Sequence, residues 1–267
     1  MAKKKENIPS QLRSISDKLG HSIKRRDCPY RLYTECVKHF GSFNKAKKLA
    51  GLKVVNIRIT SFPKDAFRLD TNLAMITAYL TADGHLYKDL KGFQFYSKDK
   101  KTLEELDRIL YKKFRLKGKY GEGTGYGEAY RYSIFNRIIS KFLNKLGVPS
   151  GNKMFIAFDI PKWVKNNKEF SREYLKVLFY CEGSKYKHSK NTYQIKINFN
   201  KSEKLLDDGI KFMRSVQELL KIFDIDATNI WISKGNIRKD GEITKQINFK
   251  LKAAGNDKFI KEIGWLK

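Results

Sequence analysis

One short pattern occurs twice in this chain, and it constrains the fold more than any other feature. Ala82-Asp83-Gly84-His85-Leu86-Tyr87-Lys88 is echoed, roughly 100 residues later, by Cys181-Glu182-Gly183-Ser184-Lys185-Tyr186-Lys187, and the surroundings repeat with it. An apolar run precedes each copy, at residues 73–80 and 174–179. An alternating strand follows each, Phe93-Gln94-Phe95-Tyr96 in the first and residues 195–200 in the second. Next comes an amphipathic helix. The first opens at Asp99 and carries Leu103, Leu106, Leu110 and Phe114; the second carries Leu205, Leu206, Phe212, Val216, Leu219 and Phe223. Two more strands are predicted at 116–120 and 130–135, matched by 230–233 and 243–251. A closing helix (138–146, 259–263) then stops at Gly147 or Gly264. The unit is αββαββα, twice, and antiparallel hairpins with helices on one face make the class α+β.

The first 52 residues read differently. Ile15, Leu19 and Ile23 recur at helical spacing, as do Leu32, Cys36 and Phe40. Gly41-Ser42 stops one helix and caps another, which runs from Phe43 to Ala50 and ends at Gly51. Three short helices around a tight glycine turn suggest a helix-turn-helix-like module, with a plain helical packing module as the alternative. Residues 53–69 contain Pro63 and no period, and are expected to be a linker. The expected domains are therefore 1–64 (helical module and linker), 65–160 and 161–267.

With 267 residues, 41% hydrophobic and 13% aromatic, the chain can bury a core, which excludes disorder for most of it. The longest apolar stretch, residues 73–82, falls far short of the roughly 20 residues of a spanning helix. No apolar stretch follows the opening Met-Ala-Lys-Lys-Lys, so a soluble, cytoplasmic protein without a signal peptide is expected. Three cysteines without a secretion signal read as reduced. His21, Cys28, Cys36 and His39 lie near one another, but their spacing matches no usual zinc pattern, and core packing of the two thiols is preferred.

Lys and Arg number 56 against 28 Asp and Glu, a net charge of +28. A lysine-rich thermophilic surface would carry matching acids; a surplus of this size calls for a polyanion, and nucleic acid is the usual one. No basic amphipathic helix favours a membrane instead. Strand alternation points Tyr193, Ile195, Ile197 and Phe199 towards the helices, and Gln194, Lys196, Asn198 and Asn200 away from them. Amides and ammoniums suit base edges and phosphates, and a β-ribbon enters the major groove. The polar positions nominated for duplex DNA are these four with Gln94, Tyr96, Lys98, Arg131, Ser133, Lys185, Lys187, Lys201, Lys234, Gln246, Asn248 and Lys250.

Helices pack closely where their facing residues are small. Ala74, Ala78 and Ala82 lie at i, i+4, i+8 on the first helix, with Val177 and Cys181 at the matching places of the second. Each helix ends in an acid, Asp83 or Glu182, followed by a glycine that can turn the chain. A carboxylate there opposes the helix dipole, which argues for function. Side-by-side helices would bring the two acids together, where each raises the other's pKa unless a cation intervenes. Oxygen donors of this kind suit Mg²⁺, which can polarise a phosphodiester and activate water.

Residues 76–84 (Ile-Thr-Ala-Tyr-Leu-Thr-Ala-Asp-Gly) and 175–183 (Leu-Lys-Val-Leu-Phe-Tyr-Cys-Glu-Gly) resemble the two motifs of single-chain LAGLIDADG homing endonucleases, a resemblance that covers residues 70–267. It implies two pseudo-symmetric units forming a saddle-shaped antiparallel sheet in a monomer that cuts both strands of a specific DNA site. It further implies that Asp83 and Glu182, helped by the backbone carbonyls of Ala82 and Cys181, hold Mg²⁺ or another divalent cation such as Mn²⁺. The family keeps a basic residue near the scissile phosphate; Lys153 supplies it in the first copy, and the second ends at Lys267. Ser97, Lys98 and Lys201 are further candidates for ordering water. Lys176 and Val177 depart from the small residues of the idealised motif. Residues 40–52 resemble the helical repeat often attached to homing endonucleases, an auxiliary DNA-binding module. Two alternatives stay open: an RNA maturase assisting splicing of intron RNA, and a DNA-binding regulator without catalysis. The run Gly118, Gly121, Gly123, Gly125, Gly127 precedes an alternating strand rather than a helix, and reads as a hairpin turn, not a phosphate loop.

Overall fold

The computed structural model describes residues 2–54, 61–123, 129–187, 192–238 and 240–266. They divide into two compact units, Met1–Ser61 and Phe62–Lys267. Gly125, Gly127 and Lys267, singled out above, lie outside the described residues.

The first unit contains α1 (Ala2–Leu19), α2 (Tyr30–Phe40) and α3 (Phe43–Leu49). Gly20 adopts φ 65°, so α1 ends there, and Ile23 enters the core from the irregular segment beyond it rather than from a helix. Gly41 closes α2 in the left-handed region (φ 74°), and the Ser42 hydroxyl caps α3 by accepting from the Lys45 amide at 3.1 Å. Leu12, Ile23, Leu32, Cys36 and Ala46 form the centre of this core. Cys28 and Cys36 pack there as small apolar groups, and burial pushes both thiols up. His39 turns to Glu35, 3.0 Å away.

The second unit runs α4 (Thr71–Thr81), β1 (His85–Leu86), β2 (Phe93–Ser97), α5 (Lys100–Phe114), β3 (Lys119–Glu122), β4 (Tyr130–Ile134) and α6 (Arg137–Lys145). A short α7 (Lys162–Lys165) intervenes. The series then repeats as α8 (Lys168–Glu182), β5 (Gly183–Lys187), β6 (Tyr193–Ser202), α9 (Leu206–Lys221), β7 (Trp231–Ile237), β8 (Ile243–Lys250) and α10 (Ala253–Glu262). Two antiparallel four-stranded sheets result, ordered β1-β2-β4-β3 and β5-β6-β8-β7, so the expected α+β class and element order are both present. The expected linker is shorter than 53–69. Ala66 is fully buried in the core, the partly buried Phe62 packs against that core, and the Phe67 ring, though still exposed on one side, lies edge-on to Phe62 and Phe142, so these apolar groups tie the stretch down.

One face of each sheet meets the helices. Phe93, Phe95, Tyr132 and Ile134 do so from the first sheet, and Ile195, Ile197, Phe199, Ile247 and Phe249 from the second, all in one continuous core. Through that core α4 packs along α8 more extensively than any other helix pair among the described residues. Ala74, Ala78 and Val177 expose no surface, so the small residues do admit close approach. Lys176 does not intrude; its ammonium pairs with Glu173 at 2.7 Å. Thr102 of α5 and Tyr180 of α8 join their hydroxyls at 2.5 Å, a further tie between the repeats.

Candidate active site

The packing of α4 on α8 decides where the two acids fall. Asp70 starts α4 by accepting from the Leu73 amide at 2.8 Å. The helix ends one residue before Ala82, and the Gly84 amide folds back to the Tyr79 carbonyl at 2.7 Å. A Cβ on Gly84 would lie 2.8 Å from the Leu80 Cα, and one on Gly183 would run into the Phe179 carbonyl oxygen. Glycine is thus required after each acid because the chain turns hard against its own helix.

Lys153 reaches the same place from the connection between the repeats. It opens a single 3₁₀ turn, Lys153–Phe155, which Asn152 caps by accepting from the Met154 amide at 3.1 Å. The Lys153 ammonium donates to the carbonyls of Leu80 (3.2 Å), Gly84 (2.7 Å) and Ala82. A cation there neutralises the negative end of α4 and makes an acid at that position tolerable.

The electrostatics show how closely these groups meet. Glu182 is pushed up to about 7, first by burial and then by the charge of Asp83, with Lys153 opposing. Asp83 keeps access to solvent but is ringed by protein, and burial raises it while Lys153 and a hydrogen bond from the Cys181 thiol lower it. Burial pulls Lys153 down to about 8 against the pull of both acids. An open depression of about 380 Å³ borders the cluster, lined by Ala82, His85, Lys153, Met154, Glu182 and Asn200 among others.

The donor set suits a divalent cation in part. Burial raises both carboxylates, and the charge of Asp83 raises Glu182 further; a hard cation between them would favour their ionised forms. The Ala82 carbonyl, expected as a ligand, accepts from Lys153 instead. Among the described residues no three His, Cys, Asp or Glu side chains gather into a metal site, so main-chain, water or phosphate oxygens would have to complete it.

Of the positions nominated for DNA, Tyr96, Lys98, Arg131, Lys185, Lys187, Lys196, Asn198, Asn200, Lys234, Gln246 and Lys250 retain solvent access. Five do not, and for these the expectation of direct contact is corrected. Gln94 is buried where Tyr87 and Tyr96 bond to its amide, and Ser133 lies beside it in register. Gln194 donates to the Leu251 carbonyl at 2.7 Å, and Asn248 donates to the Ser233 hydroxyl at 2.7 Å. Lys201 has no exposed surface and is bound to backbone carbonyls.

No protein-family model matches the chain. Curated relatives include subunit Rpo1N of DNA-directed RNA polymerase from Methanocaldococcus jannaschii (28% identical, 65% of this chain, 14% of the relative). The tRNA-splicing ligase RtcB of Methanopyrus kandleri is 27% identical over 72% of this chain and 20% of its own length. The replication factor C small subunit of M. jannaschii is 28% identical over 84% and 13%. The chain therefore spans a fifth or less of these relatives. Similar solved structures include variants of the homing endonuclease I-DmoI (15% identity, 72% of this chain and 90% of that one, TM-score 0.43). Others are the homing endonuclease I-WcaI bound to its DNA recognition sequence (15%, 82% and 93%, 0.47) and the N-terminal LAGLIDADG domain of DUF199/WhiA (13%, 76% and 88%, 0.44).

His85 borders the depression unannounced by the sequence reading. Burial and then the Lys153 charge lower its pKa, both disfavouring the charged imidazolium. Its place inside the repeated pattern was the available signal. Lys201 carried one as well, since it shares the parity of Ile195, Ile197 and Phe199, the inward face.

Proposed function

We propose that this chain is a site-specific endonuclease for double-stranded DNA. It would use a divalent cation, Mg²⁺ or Mn²⁺, between two pseudo-symmetric halves (65–160 and 161–267), with the first unit as an auxiliary DNA-binding module. One observation carries the reading: Asp83 and Glu182, from the two repeats, stand close enough at the ends of packed helices for the charge of one to raise the other. Mutual repulsion of this kind is costly, and a phosphodiesterase centre is a reason to keep it. A cation held by the two carboxylates would supply electrophilic activation of the scissile phosphate. Asp83 and Glu182 would hold it, Glu182 giving up its proton on binding. The Lys153 ammonium would pair with phosphate oxygen, and Lys98, Lys196, Asn198, Asn200 and Lys250 would follow the duplex. The net charge of +28 supports a polyanionic partner.

The relatives add support of another kind. A segment shared by a polymerase subunit, an RNA ligase and a replication factor, and making up 13–20% of each, behaves as a portable insert rather than as part of their separate chemistries. Portability suits an element that spreads by cutting DNA. A second reading is a DNA-binding regulator, favoured by the Lys153 ammonium lying on the Ala82 carbonyl where a cation ligand was expected.

Cleavage of a randomised duplex library with Mg²⁺ or Mn²⁺, followed by sequencing of the cut ends, separates the two. Recurrent cut sites that disappear in Asp83→Asn and Glu182→Gln support the nuclease. Specific retention of a sequence without any cut supports the regulator.

A further inference from the structure

Lys201 is a long cation placed where an apolar residue would ordinarily be. It lies on β6 with the inward parity of Ile195, Ile197 and Phe199, and it exposes no surface. Burial lowers its pKa to about 8, partly restored by Asp208. Replacing such a group by a hydrocarbon of similar volume is commonly neutral or stabilising, so packing alone does not explain a lysine here.

Its surroundings are arranged around the ammonium. The Nζ donates to the main-chain carbonyls of Lys153 and Ile156, each at 2.6 Å, and lies 4.2 Å from the centre of the Phe158 ring. Gly209 of α9 makes room for the stem, since a Cβ there would lie 2.7 Å from the Lys201 Cγ and run into the Ile247 Cδ1. The two carbonyls bracket the 3₁₀ turn that presents Lys153. On the other side the Gly151 amide donates to the Leu86 carbonyl at 2.8 Å, which fastens the same loop to β1 of the first sheet.

We infer that Lys201 is a positioning residue: its ammonium, from the second repeat, clamps the turn that carries Lys153 and thereby holds the Lys153 ammonium among the carbonyls ending α4, beside Asp83. One repeat thus sets the geometry of a basic group that serves the other. The inference builds on the proposed nuclease only for its catalytic consequence. The clamp itself is a statement about Lys153.

Lys201→Met keeps the length and loses the donor; Lys201→Gln, a shorter uncharged side chain, serves if the first variant fails to fold. Two readouts apply to the full-length chain. The first is residue-resolved acylation of lysine amines by mass spectrometry at fixed pH. Lys153 should label about tenfold faster in the variant, a consequence of losing local protection, while the buried Lys113 stays at its wild-type rate. The second is strand-resolved nicking of a cleaved target. A misplacement of about 1 Å costs on the order of 100-fold, so the strand served by Lys153 should slow by about 10- to 100-fold relative to the other, with DNA affinity held within about twofold.

Unchanged Lys153 labelling in a folded variant overturns the inference. So does equal acceleration at Lys153 and Lys113, which would make Lys201 a general support of the fold, and so does equal slowing of both strands. If the wild-type chain cuts no duplex, the nuclease reading falls, and selective labelling at Lys153 still decides the clamp.

Discussion

The Asp70 carboxylate faces two ways: one oxygen accepts from the Leu73 amide at 2.8 Å, and the other meets the ammonium of Lys113 at 2.7 Å. The start of α4 and the end of α5 are therefore fixed together, and the start of α4 determines where Asp83 comes to lie. Lys113 is almost wholly enclosed, and it also donates to the carbonyls of Asp65 (3.0 Å) and Arg68 (2.6 Å).

Asp70→Ala removes a cap and leaves a buried ammonium without its carboxylate. A loss of about 3–5 kcal/mol in urea unfolding is expected. Adding Lys113→Met should restore part of it, because the stranded charge goes too. A double variant as unstable as the two single losses summed would contradict this account.

Glu182 makes stability depend on pH. Its ordinary value is 4.5 and its folded value about 7, so the folded chain favours the protonated acid. The contribution is complete below pH 4.5 and is lost as pH rises through about 7. Without divalent cation, Glu182→Gln should stabilise the chain by about 1–2 kcal/mol at pH 8 and by nothing measurable at pH 4, the gain being held down by water access and by the partner that Lys153 loses. Thermal melts across this range decide it, and a gain independent of pH would remove the assigned cause.

Ala78→Leu tests the helix contact. Ala78 exposes no surface where α4 meets α8, and a larger side chain must push the helices apart. Overpacking of this kind costs about 1–3 kcal/mol. The same displacement separates Asp83 from Glu182, so the pH dependence just described should shrink along with stability.

Lys196 and Gln194 are two residues apart on β6, yet their substitutions should act differently. Lys196→Ala should weaken DNA binding and reduce the slope of log affinity against log salt by about 1. Gln194→Ala removes the bond to the Leu251 carbonyl, and should cost about 1 kcal/mol of stability while leaving that slope unchanged. Titrations by fluorescence anisotropy at several salt concentrations measure both.

The repeat made the order of elements readable, since a pattern that recurs with its flanking periodicities constrains far more than either copy alone. The acids and small helix residues were readable for the same reason. Alternation along a strand proved a weaker guide at its ends. It gave Gln194 the parity of a polar face, but whether such a position is open, there or at Asn248, depends on neighbours such as Leu251 and Ser233, which come from other parts of the chain. Lys201 was misread because its residue type outweighed its parity. Ile23 followed helical spacing past Gly20, and a period of three or four residues does not reveal that an apolar side chain can enter a core from a bend. The 3₁₀ turn at Lys153 leaves no periodic trace at all.

Gly209 and Lys201 carry a consequence for how this chain can change over generations. Any side chain at 209 strikes the lysine stem and the Ile247 methyl, whereas a shorter residue at 201 would relieve the first of these contacts. Room for a side chain at 209 therefore needs both neighbours to give way: a shorter residue at 201 removes one contact, and a shift of the Ile247 methyl removes the other. Descendants that keep the long cation inherit the glycine with it, and the two positions should vary as a pair.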